Sequence, residues 1–144
     1  MKTEMPTQKE GWIPTQIAQI DIECTNLTLA ENFYCQTLGL PVVSRLPQIG
    51  TLLVKCGPTH LLIRESIAPN KSSPIYLNAD NHIFDATKAL NDAGISFTEE
   101  PHRVAKNRNG FDIWLGFFED PWGNSLGLIA NMPLDRVPVG DKTN

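Results

Sequence analysis

The chain repeats its own pattern at a fixed offset, and no other feature restricts its possible folds as much. Gly39 and Gly94 each close a helical pattern. Sliding the sequence by the 55 positions between them lays Ile20 on Ile75, Ile22 on Leu77 and Cys24 on Ala79. Apolar positions fall on apolar positions, which is the mark of a duplicated supersecondary unit. In the first unit, residues 17–23 alternate as a strand, and Thr28-Leu29-Ala30-Glu31 reads as a capping box opening a helix that stops at Gly39. In the second, residues 75–79 form the strand, and a helix follows from about Asn81. Its inward stripe is Ile83, Ala86, Thr87 and Leu90, and Gly94 ends it.

After each helix come three segments of strand character: 41–46, 51–56 and 59–65, then 96–99, 111–118 and 125–129. The expected order is therefore βαβββ twice, in modules of about 15–66 and 72–132. Lys71-Ser72-Ser73-Pro74 reads as the polar connector between them. Residues 101–110, with Arg103, Lys106, Asn107 and Arg108, read as a long solvated loop, and 132–144 as a mobile tail. A total of 144 residues with 41% apolar content suits one domain with a real core.

Charge and composition narrow the partners. A net charge of −4 argues against a nucleic-acid backbone, which needs a basic face to displace counterions. Residues 1–14 contain no apolar leader-like core, and no run is long enough to span a bilayer, so a cytoplasmic location and a small-molecule partner are expected. Cys24, Cys35 and Cys56 are odd in number and lack CxxC spacing, which points to buried thiols rather than a disulfide framework or structural zinc.

One turn is written into the sequence by strict chemistry. In Asp120-Pro121-Trp122-Gly123, Asp120 can accept from the backbone ahead of it, Pro121 presets φ, and Gly123 suits the fourth position of a type I turn. The stretch from Phe118 through this turn to Ile129, together with Phe33-Tyr34-Cys35-Gln36-Thr37-Leu38-Gly39-Leu40, resembles the vicinal oxygen chelate superfamily. That superfamily includes glyoxalase I, extradiol dioxygenases, fosfomycin-resistance enzymes and bleomycin-resistance proteins. The resemblance covers about Gln16 to Asn131. It implies an α+β fold in which two βαβββ modules form a curved eight-stranded mixed sheet around a cavity, with helices outside. It also implies a homodimer, for which no residue pattern speaks independently.

Metal-dependent members carry His, Glu or Gln ligands in the first and last strand of each module. The resemblance maps these positions to Gln19, Leu62, Pro74 and Gly127, with Ser73 in place of Pro74 if the alignment slips by one. Only Gln19 carries a usable donor, whereas a divalent ion wants at least three His, Cys or carboxylate ligands. No metal and no cofactor are therefore expected. Of the three imidazoles, His82 falls on the outer helix, which leaves only His60 and His102 as histidine donors.

With the mapped positions as reference, strand alternation turns Gln19, Asp21 and Glu23 inward from the first strand, His60, Leu62 and Arg64 from the fourth, and Tyr76 and Asn78 from the fifth. Charges on such a face need partners, so Arg64 is expected to pair with Asp21 or Glu23. His60 is the candidate general base, with either carboxylate to orient it, although a half-exposed strand histidine explains it as well. His102 falls on an expected rim loop with no assigned role. Trp114 and Trp122 are candidates for stacking on a flat ligand: Trp114 lies where either strand parity could be core, while Trp122 sits at a turn and is expected to be exposed.

The resulting expectation is a metal-free protein that binds a small organic molecule, with sequestration of a toxic or antibiotic compound as one version. The rival is a lyase, isomerase or dioxygenase using His60, a cavity carboxylate or unmapped metal ligands. A third reading is an interaction protein with a vestigial cavity.

Overall fold

The computed structural model describes residues 10–134. Residues 1–9 and 135–144, which include most of the expected tail, lie outside the described residues. The first four strands are β1 (Gln19–Cys24), β2 (Val42–Leu46), β3 (Thr51–Cys56) and β4 (Thr59–Glu65), arranged β1-β4-β3-β2. The second four are β5 (Ile75–Asn78), β6 (Glu99–Arg108), β7 (Phe111–Glu119) and β8 (Ser125–Pro133), arranged β5-β8-β7-β6. The same order recurs because the same unit does. In each sheet the first and last strands of the module run parallel, and the remaining pairs are antiparallel. The α+β class and the doubled βαβββ order agree with the expectation, the eight strands being held as two four-stranded sheets. No helix among the described residues is long and apolar enough to cross a membrane.

Helix α1 (Leu27–Glu31) follows β1, and α2 (Ile83–Asp92) follows β5. The cap of α1 differs from the expected capping box at Thr28. Asn26, in extended conformation, accepts from Leu29 N at 2.9 Å, and the Glu65 carboxylate accepts from Leu27 N at 3.1 Å. A short side chain just outside the first turn reaches the open N–H groups better than one already inside it. The helix then widens into a π-helical stretch over Asn32–Thr37, with Leu38 N bonded to Phe33 O. Gly39 and Gly94 take φ of +84° and +92°, a left-handed geometry that closes both helices without strain on a Cβ.

The largest difference from the sequence reading is β6. The segment expected as a solvated loop, including His102, is a ten-residue strand at the edge of the second sheet. Charged residues and proline belong on an edge strand, where they discourage pairing with another chain and where a missing N–H costs little. Register shifts in the β6–β7 pairing, the first between Glu99 and His102, accommodate Pro101, which lies directly over Gly116. A Cβ at position 116 would stand 2.6 Å from Pro101 Cγ and 2.7 Å from its backbone nitrogen. Met132, expected in the tail, is a buried residue of β8.

One apolar core crosses both modules. Ile22, Cys24, Tyr34, Leu52 and Ile63 of the first pack in the same cluster as Ile75, Ile95, Phe118 and Leu126 of the second. The predicted Asp120 turn sits at this junction. Asp120 Oδ1 accepts from Trp122 N and Asn124 N, both at 2.9 Å, and Asn124 Nδ2 donates to Asp120 Oδ2 at 2.7 Å and to Glu23 O at 3.3 Å. Burial raises the Cys24, Cys35 and Cys56 thiols above their ordinary titration range, which keeps them protonated and weakly nucleophilic.

Candidate functional site

Alternation along β1 sends Ile22 and Cys24 into the helix-side core and Gln19, Asp21 and Glu23 to the opposite face. The parallel register sets Gln19 beside His60, Asp21 beside Leu62 and Glu23 beside Arg64. The next strand extends the rows, with Lys55 opposite His60, Leu53 opposite Leu62 and Thr51 opposite Arg64. Arg64 bridges both carboxylates, its Nε lying 3.4 Å from Asp21 Oδ2 and its NH2 group 3.5 Å from Glu23 Oε2. Glu23 Oε1 also accepts from Asn70 N at 3.0 Å, tying the connector between modules to this cluster. His60 lies in the row of Gln19 and Lys55, apart from the two carboxylates that Arg64 engages.

The matching face of the second sheet is mostly apolar. Tyr76, Gly127 and Phe117 form one row, and Asn78, Ile129 and Leu115 the next. Tyr76 and Phe117 meet edge to face with ring centroids 5.6 Å apart. Both rings crowd Gly127: a Cβ there would stand 2.9 Å from Phe117 Cε1 and 3.0 Å from Tyr76 Cδ2.

β1 and β5 are edge strands of their sheets, and a cleft of about 560 Å³ lies between them. Ile17, Ile20 and Asp21 line it from the first module, and Ser72, Ser73, Pro74, Ile75 and Tyr76 from the second. Ser72 Oγ, in the cleft lining, is buried without a hydrogen-bond partner, while the buried Arg64 Nε beside it meets Asp21 through the ion pair alone.

The structure therefore brings together Asp21 and Tyr76 in the cleft, with Arg64 and Glu23 attached through the ion pairs. Gln19 and His60 share the face one row along. Asn78 shares it as well, but its side chain is occupied by the turn after β5, donating to Asp80 Oδ1 at 2.9 Å and accepting from Asp80 N at 2.8 Å. His102 stands in β6 opposite Leu115, with Nδ1 2.9 Å from Glu100 O. Trp114, whose face strand alternation leaves open, lies on the helix side, where it packs against Phe84 of α2 at 5.2 Å between ring centroids. Trp122 is half-buried rather than exposed, and its indole donates to Thr25 Oγ1 at 2.8 Å. Sequence reasoning missed Ser72 and Phe117. Ser72 looked like linker, and Phe117 lies in a run that is apolar at most positions of both faces.

A family model described as the glyoxalase/bleomycin resistance protein/dioxygenase superfamily matches residues 16–128. The chain belongs to that superfamily. Among solved structures, a lactoylglutathione lyase of Agrobacterium tumefaciens is 22% identical with a TM-score of 0.65, the match covering 81% of this chain and 94% of the other. A superfamily member from Sphaerobacter thermophilus gives the same identity and TM-score over 81% and 98%. A glyoxalase family protein of Enterococcus faecalis is 25% identical with a TM-score of 0.61 over 79% and 96%. These likenesses carry the fold. No curated protein sequence matches the chain at a significant level.

The superfamily's metal positions, as mapped onto this chain, do not fit a divalent ion. Gln19 offers a neutral amide, while Leu62, Pro74 and Gly127 offer no side-chain donor. The Ser73 alternative adds one hydroxyl and leaves the set inadequate. At Gly127 the obstacle is also steric, since the Tyr76 and Phe117 rings occupy the space a longer side chain would need. Among the described residues no three His, Cys, Asp or Glu side chains come together as a ligand group.

Proposed function

We infer that this superfamily member binds a small, partly aromatic organic molecule in the cleft between β1 and β5 without help from a metal ion. The observation that carries the reading is the Tyr76–Phe117 ring pair closed over Gly127, which puts an aromatic surface where the superfamily's last-strand ligand would stand. Tyr76 is 53% exposed and offers both a ring and a hydroxyl to the cleft. Asp21, Arg64 and Ser72 supply acceptor and donor groups beside it. The volume of about 560 Å³ is in the range of small-molecule sites, about 300–1,000 Å³. Two carboxylates against one guanidinium leave this end of the cleft negative, which favours a ligand that presents hydrogen-bond donors or a positive charge.

On this reading the protein holds its ligand rather than transforming it, as a sequestering protein does, and a homodimer is its working form. A thermal-shift screen of chelator-treated protein against aromatic amines, antibiotics and metabolites tests the binding. A ligand present at 100 times its Kd adds about 2.7 kcal/mol of stability. Stabilisation that persists in chelator and disappears in Tyr76→Ala supports the reading. Stabilisation that requires added zinc, nickel, manganese or iron overturns it.

A further inference from the structure

Asn124 is completely buried, and its side-chain amide reaches three separate segments of the chain. Its Oδ1 accepts from Ser72 N at 2.8 Å, and its Nδ2 donates to Asp120 Oδ2 at 2.7 Å and to Glu23 O at 3.3 Å. A turned amide would set its NH2 group against the Ser72 N–H and its oxygen against the Asp120 carboxylate, so the partners fix its orientation. Asp120 is itself held, since its Oδ2 also accepts from the Tyr34 hydroxyl at 2.7 Å.

Two of the three partners belong to opposite walls of the cleft. Glu23 lies in β1, two residues beyond Asp21 of one wall, and Ser72 belongs to the other, directly before Ser73, Pro74 and β5. The connector is fastened at neighbouring points as well. Asn70 N donates to Glu23 Oε1 at 3.0 Å, and the Lys71 stem lies against Gly123, where a Cβ would stand 2.8 Å from Lys71 Cε. Three consecutive connector residues are thus tied to β1 and to the Asp120 turn, and the chain they steer runs straight into Ile75 and Tyr76. A buried, fully bonded network of this kind specifies one arrangement, because a partly bonded one is costly.

We propose that Asn124 is a positioning residue for the cleft, fixing the separation of its two walls and thereby the width of the ring it admits. It touches no ligand and acts through Ser72 on one side and the Glu23 carbonyl on the other. The inference rests on the cleft being a ligand site. With the walls fastened, a single ring enters freely, whereas a wider fused system has to displace a wall tied to a buried amide. Freeing the Ser72 N–H lets the connector yield and relaxes that selection.

The test is calorimetric titration of the full chain with tyramine, an amine of one ring, and with proflavine, a cation of three fused rings. The quantity read is the ratio of the two Kd values. Ser72→Ala and Ser72→Pro both remove the hydroxyl, but only proline removes the N–H that Asn124 holds. Ser72→Ala should weaken both probes alike and leave the ratio in place. Ser72→Pro and Asn124→Ala should each shift the ratio about fivefold toward proflavine, the change that one hydrogen bond can supply. A loss of stability alone lowers both affinities together and does not move the ratio. Ser72→Pro alters the connector rather than the core, so the test survives even if Asn124→Ala does not fold. A ratio in Ser72→Pro equal to that in Ser72→Ala overturns the proposal and leaves the cleft as a binding site. Failure of both probes to bind, or binding indifferent to Tyr76→Ala, removes the cleft reading and this proposal with it.

Discussion

The Tyr34 phenol donates to Asp120 Oδ2 at 2.7 Å across 86 positions of chain, joining the π-helical stretch of the first module to the turn of the second. Both side chains are buried, Tyr34 completely. Tyr34→Phe keeps the ring and removes the donor, leaving the carboxylate one bond short in the core. A loss of about 1–3 kcal/mol is expected from urea denaturation, with the slope of the transition unchanged. A variant as stable as the parent would mean that the clasp contributes nothing to holding the modules together.

The same phenol should make the protein labile to alkali. Burial, then the nearby Asp120 charge, raises the Tyr34 titration well above that of an exposed tyrosine. A group whose folded-state pKa is raised lends stability that is fully present below the unfolded value, near 10, and is lost as pH rises beyond it. The parent should lose up to about 1.4 kcal/mol per pH unit above pH 10 through this residue. The raised thiols of Cys24, Cys35 and Cys56 shift stability in the same direction from a lower pH, so the informative quantity is the difference between parent and Tyr34→Phe. That difference should shrink above pH 10. A constant gap would remove Tyr34 as its cause.

Two strand glycines permit close approaches of different kinds. At Gly116 an added Cβ meets the ring and backbone of Pro101, so β6 itself would have to move. At Gly127 it meets only the ring atoms of Phe117 and Tyr76, which can turn aside. Gly116→Ala should therefore be the more damaging substitution, costing about 1–3 kcal/mol as overpacking does. Combining Gly127→Ala with Phe117→Leu should recover most of the smaller loss. Calorimetric unfolding of the three variants ranks them, and the reverse order would contradict this packing.

The cap of α1 can be checked with two substitutions. Asn26→Ala should cost about 1 kcal/mol, whereas Thr28→Ala, inside the first turn, should cost much less. If Thr28→Ala proves the costlier, the capping box read from the sequence is the operative one.

What the sequence disclosed followed from local rules. Gly39 and Gly94 marked the helix ends because only glycine takes that backbone cheaply, and the alternation in β1 and β4 was clear because one face of each strand is polar. Two elements stayed hidden. β6 carries the charges and the proline of a loop, and only its pairing with β7 makes it a strand. In β7 the apolar residues Ile113, Leu115 and Phe117 alternate with Trp114 and Phe118, so parity could not say which face Trp114 occupies; the helix packed over it decides that. The cleft itself depends on where two sheet edges meet, which no spacing within one strand encodes.

The aromatic lid over Gly127 makes that position intolerant of a lone enlargement. A carboxylate introduced at position 127 alone would have to push aside two rings before it could reach a cation, and it would find only the Gln19 amide waiting at the other mapped positions. Substitution at position 127 and repacking of the two rings are therefore coupled, so a longer side chain there fits only together with a change at Tyr76 or Phe117.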